Sequence, residues 1–105
     1  MPQVRLRGRL ICADADVAVV ERLLPEHIRL TLEEPGCLRF IVRRSEDDPA
    51  VYLVDELFAD AAAFAAHQRR AAVSAWGRGT AHIARDYAVE TLGGPENDQD
   101  AFAMK

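Results

Sequence analysis

The chain has 105 residues, half of them hydrophobic, and a formal net charge of −4. This length suits one domain, and this apolar content suits a packed core rather than a disordered chain. The acidic balance argues against nucleic acid as a partner, because phosphate binding needs a basic patch.

The start, "MPQVRLRGRL", is basic but lacks the apolar stretch of a signal peptide. No apolar run approaches the roughly 18 residues that span a bilayer. No membrane partner is therefore expected, and the cytoplasm is the expected compartment. Cys12 and Cys37 make no disulfide framework and are expected as reduced thiols.

Residues 3–13, "QVRLRGRLICA", alternate as a strand, with Val4, Leu6, Gly8 and Leu10 on one face and Arg5, Arg7, Arg9 and Ile11 on the other. Gly8 in the middle marks a bulge or a close approach by another backbone. A helix follows, capped by Asp14 or Asp16, with Val17, Val20, Leu24 and Ile28 on its apolar face. Pro25 predicts a kink or a fresh turn. The helix ends before "EEPG": Pro35 cannot continue it, and Gly36 supplies positive φ cheaply. "CLRFIVRR" then alternates as a second strand, expected beside the first, with Leu38, Phe40 and Val42 inward.

"SEDDP" is a polar turn, and "AVYLVDELFAD" a third strand forming a hairpin with the second. Tyr52, Val54, Glu56 and Phe58 share one of its faces; Val51, Leu53, Asp55 and Leu57 share the other. Both faces are largely apolar, so both should be covered, one by the helices and one by something else such as a second subunit. Asp60 caps a second helix, with Phe64, His67, Ala71 and Ser74 on one stripe. "WGRGT" should loosen or break it, "AHIARD" should resume a helical turn, and "YAVETL" should close as a strand. The domain is expected over residues 1–92, with residues 93–105, "GGPENDQDAFAMK", as a mobile tail or a dimer arm. The order β-α-β-β-α-β is a ferredoxin-like α+β arrangement.

The stretch "EEPGCLRFIVRRSEDDPAVYLVDELFADAAAFAAHQ" resembles the antibiotic-biosynthesis monooxygenase family, which includes small quinol monooxygenases. The resemblance rests on the Glu-Pro-Gly-Cys turn, the "LRF" strand, the "DDP" turn, Glu56 ahead of Phe58, and "AAFAAH", and it extends over residues 4–92. It implies a homodimeric α+β barrel with the sheets of two subunits packed together. It also implies oxygenation of an electron-rich aromatic, a small quinol or polyphenol, by O2 without metal or flavin.

Such chemistry needs a dry pocket, a base and donors that hold an anion. His67 faces inward and is the first candidate base; its alternative is a structural histidine bonded to the sheet. Trp76 is the only tryptophan. It can wall an aromatic substrate or simply pack against Ile83. Glu56 lies within an apolar strand and must be paired or carry a raised pKa; its candidate partners are Arg39, Arg70, Arg85 and His67. Tyr52, Phe40, Phe58, Phe64 and His27 are candidates to bind substrate. No histidine or cysteine spacing marks a metal site. Two other readings stand beside the oxygenase: a non-catalytic ligand-binding or regulatory dimer, and a haem-degrading enzyme. Against haem, "VRLRGRL" lacks the Asn that such relatives carry there.

Overall fold

A computed structural model describes residues 1–92. Its elements are β1 (Gln3–Ile11), α1 (Asp14–Leu32), β2 (Cys37–Arg44), β3 (Val51–Phe58), α2 (Ala61–Val73), α3 (Ala75–Thr80) and β4 (Ala84–Leu92). The four strands form one antiparallel sheet in the order β2-β3-β1-β4. This is the ferredoxin-like α+β fold that the sequence predicts, with one helix more. The hairpin of β2 and β3 is present, but β2 lies beside β3 and not beside β1 as expected. β3 takes the place next to β1, so the α1 connection crosses over it.

Strand alternation sets the core. Val4, Leu6 and Leu10 of β1 and Tyr52, Val54, Glu56 and Phe58 of β3 are buried on the helix-covered face. Leu10 and Tyr52 join Val20 and Leu24 of α1, Trp76 of α3 and Ile83 in one cluster. The register of β2 slips between Cys37 and Arg39, and this bulge turns Leu38 out to 51% exposure, while Phe40 stays buried. Leu38 is therefore not an inward residue. The opposite face carries Arg5, Arg39 and Asp55, whose charges pair across strands.

Two glycines are fixed by crowding. A Cβ on Gly8 would stand 2.1 Å from the carbonyl oxygen of Asp86, so β4 can lie close only against a glycine. A Cβ on Gly36 would stand 2.2 Å from Cβ of Ala63, and its φ lies outside the left-handed region. Gly36 thus serves the contact between the turn and α2, not the positive φ that its sequence context predicts.

The helices differ from expectation at their ends. Ala13 occupies the α1 N-cap without a side-chain bond, and Asp14 and Asp16 sit in the first turn, where carboxylates favour the helix dipole. α1 runs unbroken through Pro25. Pro25 and Glu21 are both exposed, so the carbonyl that proline leaves without a helix donor faces water. Asp60 caps α2 as expected, accepting from the Ala63 amide at 2.8 Å. The helix breaks as expected, but at Ser74, just ahead of "WGRGT", which is itself helical; the Ser74 hydroxyl caps α3 at Gly77 N, 3.2 Å away. "AHIARD" forms a turn and the first residues of β4, not a helical turn. No described helix is long and apolar enough to cross a membrane. The expected tail over residues 93–105 lies outside the described residues.

Candidate functional site

Three elements converge on His67. The turn after α1 leaves Glu34 beside α2, where His67 and Arg70 stand about one turn apart and reach the same carboxylate. Nδ1 of His67 lies 3.1 Å and 3.2 Å from the two Glu34 oxygens, and Arg70 donates to Glu34 through Nε. Arg70 also donates to Thr31 Oγ1 at 2.8 Å. A carboxylate accepts, so Nδ1 of His67 carries the proton and Nε2 of the neutral ring keeps its lone pair. On that side stands Glu56 from β3, with Oε1 3.7 Å from Nε2. Glu56 is 6% exposed, and its Oε1 has no hydrogen-bond partner among the described residues.

His67 and Glu56 both open on one cavity of about 250 Å3 between α2–α3 and the sheet, with His27, Trp76, Arg85 and Tyr87 in its wall. The imidazole of His27 stacks on the Trp76 indole, centroids 4.8 Å apart and planes 5° from parallel. His27 Nδ1 is buried without a partner among the described residues. Arg85 is pinned by the carbonyls of Thr80 and Ile83, at 2.7 Å and 3.1 Å, and by Thr80 Oγ1 at 2.9 Å, so its charge is fixed at the cavity edge.

Burial dominates the electrostatics. It pushes the Glu56 carboxyl up to about 7, with the Glu34 charge adding and Arg85 opposing. It drives His27 down to about 3, helped by His67 and two arginines. It lowers His67 as well, against the hydrogen bond that His67 donates to Glu34, which raises it. Tyr87 is raised to about 12, first by burial. Near neutrality the cavity thus holds two neutral imidazoles and a carboxyl group poised between its forms. A neutral imidazole with a free lone pair beside such a carboxyl can accept a proton and return it within the cavity. Among the described residues, no three His, Cys, Asp or Glu side chains stand together as a metal site.

Of the residues singled out in the sequence, His67, Glu56, Trp76 and His27 meet in this cavity. Phe40 and Phe58 do not line it. They hold the imidazoles from behind, Phe40 edge-on to His27 at 5.3 Å and Phe58 against His67 at 4.9 Å. Phe64 packs on Phe58, 5.6 Å away, and is likewise outside the lining. Tyr52 shares the strand face of Glu56 but lies four residues off, about 13 Å along the strand. Its hydroxyl donates to Glu21 and accepts from Arg44. Of the partners foreseen for Glu56, His67 is the nearest: Arg70 is engaged by Glu34, and Arg39 faces Asp55 on the other side of the sheet. Glu34 and Tyr87 were not foreseen as site residues, and Arg85 only as a partner for Glu56. The Glu-Pro-Gly turn was the available signal for Glu34, since a turn that fixes the backbone against α2 also fixes the side chain just before it.

The model of the family described as antibiotic biosynthesis monooxygenase matches residues 11–79. Among solved structures, a candidate antibiotic biosynthesis monooxygenase from Nitrosomonas europaea superposes with a TM-score of 0.73 at 20% identity, covering 89% of this chain and 90% of that one. A conserved protein from Methanosarcina mazei gives 0.71 at 17% identity, covering 89% and 95%. A candidate monooxygenase of the same kind from Deinococcus radiodurans gives 0.69 at 20% identity, covering 87% and 93%. At these identities the likeness is one of fold. No curated protein sequence matches the chain.

Proposed function

The chain belongs to the antibiotic biosynthesis monooxygenase family, and on that premise we propose that it oxidises a small quinol or related phenol with O2, using no cofactor. The observation that carries this reading is the buried Glu56 carboxyl, with an unpartnered oxygen, beside the lone pair of His67 Nε2 in the cavity. A phenolic hydroxyl supplies what both lack, a donor to Nε2 and a partner for Oε1.

In the proposed reaction His67 Nε2 takes the phenolic proton, and Glu34 steadies the imidazolium through Nδ1. The quinolate reduces O2 by one electron, the two radicals join as a ring peroxide, and His67 returns its proton to give the hydroperoxide. The hydrogen on that carbon leaves as a proton, the O–O bond breaks, and the distal oxygen departs as water. A quinol and O2 thereby give a hydroxyquinone and water, with the substrate as the only reductant. The Trp76 indole walls the ring, and the fixed charge of Arg85 favours the anion. The same reading has a second copy cover the open sheet face, where Leu53, Leu57 and Ile41 lie among the paired charges. Analytical ultracentrifugation would test that dimer.

Oxygen uptake by the purified protein with a panel of reduced quinols and anthrones tests the oxygenase. Uptake above autoxidation is expected, falling about 10²–10⁴-fold in His67→Ala, the range for loss of a general base. It should also fall in Trp76→Phe. Absence of uptake across the panel from folded protein would overturn the proposal.

A further inference from the structure

The cavity described above has a neighbour. A second cavity of about 410 Å3 lies between α1 and the α2–α3 junction. Leu23, Leu30, Val73 and Ala75 give it apolar walls, and the exposed Arg22 and Glu26 lie at its rim. His27 and Trp76 line both cavities, so their stacked rings are the partition between a polar inner space and an apolar outer one.

Size argues for joint use. The inner cavity is smaller than the roughly 300–1,000 Å3 of ordinary ligand sites, whereas the two together fall inside that range. Trp76 rides on a helix of six residues, separated from α2 by the extended backbone of Ser74, with φ −79° and ψ 169°. The indole can therefore shift without bending the helix that holds His67. His27 brings no charge to be stripped of water, and its buried Nδ1 has no bond to break among the described residues.

We infer that the outer cavity is a second subsite for the substrate, taking an alkyl chain or fused apolar ring borne by a phenolic head that sits against Glu56 and His67. The inference rests on the reading of the inner cavity as a phenol site. It adds that the substrate is amphiphilic, and that the His27–Trp76 pair is the gate through which its apolar part passes. The groups that define head and tail are on opposite sides of that pair: carboxyl and imidazole within, aliphatic side chains without.

Trp76 is the only tryptophan, so intrinsic fluorescence reads the partition directly. The full chain would be titrated with phenol, 4-ethylphenol, 4-butylphenol and 4-hexylphenol, so that oxygen chemistry plays no part. The dissociation constant should fall about fourfold for each methylene buried. Val73→Phe fills the outer cavity from a side chain that is 69% exposed, so the fold is spared. Ala75→Phe does so from a second position. Both variants should bind phenol as the wild type does, and 4-hexylphenol about tenfold or more weakly, the loss of roughly two buried methylenes. Phenol binding without a chain-length gradient, or with the same gradient in both variants, overturns the second subsite and leaves the inner site standing. Failure of phenol itself to bind overturns both.

Discussion

Replacing Glu56 by Gln removes a titration while keeping the side chain's shape. The folded chain holds this carboxyl at about 7, against an ordinary value of 4.5, chiefly because burial penalises its charge. Each pKa unit is worth about 1.4 kcal/mol, so the gap corresponds to ~3 kcal/mol. The sign follows from proton counting. Between pH 4.5 and 7 the unfolded chain has released this proton and the folded chain has kept it, so raising the pH favours unfolding. Stability is lost across that window and is level above it. About 2.5 kcal/mol of the change falls between pH 5 and pH 8. Urea denaturation of wild type and Glu56→Gln at those two values isolates the effect, because His27 and His67 titrate in both proteins. The variant should gain ~2.5 kcal/mol relative to wild type on going from pH 5 to pH 8. A difference between the proteins that does not change with pH would refute the claim that Glu56 is buried and unpaired. A change of opposite sign would mean that a cation holds it ionised.

Three further outcomes are expected. Glu34→Gln leaves the Arg70 and His67 donors without a charged acceptor and should cost about 1–3 kcal/mol in urea melts. The same change should lower the His67 pKa, because Glu34 is what raises it; NMR titration of the ring proton reads this. His27, at about 3 against an ordinary 6.5, contributes stability that is complete above pH 6.5 and lost as the pH falls toward 3. Wild type should therefore lose ~3 kcal/mol more than His27→Phe between pH 7 and pH 4, measured by urea midpoints. Gly36→Ala drives a methyl into Ala63 and should cost about 1–3 kcal/mol, visible in thermal melts, with part recovered in the double variant carrying Ala63→Gly.

The sequence by itself determined the elements of the repeated β-α-β pattern, the buried face of β3, the cap at Asp60 and the need for a glycine at Gly8. These are local matters. A strand's two faces follow from its period, a cap from one side chain, and neither depends on what packs where. The same periodicity put His67 and Glu56 on inward faces, and Trp76 stood out as the only tryptophan, so the chemical content of the cavity was legible. Their meeting was not. It required the crossover that places β3 beside β1, and the turn whose Glu34 fixes the His67 tautomer from 33 positions away in the chain. Periodicity also misassigned Tyr52, Phe40, Phe58 and Phe64 to the cavity, because it specifies a face but not a distance along the strand or which side of a ring is open. Leu38 was misjudged because a bulge breaks the alternation from which its direction was read. The break between α2 and α3 fell at Ser74 rather than at the glycines, since packing of α3 against α1 and the Ser74 cap outweigh glycine's weak helix propensity. Facing cavities on the two sides of one stacked ring pair belong to tertiary structure alone, because they are spaces between helices that no single segment encloses.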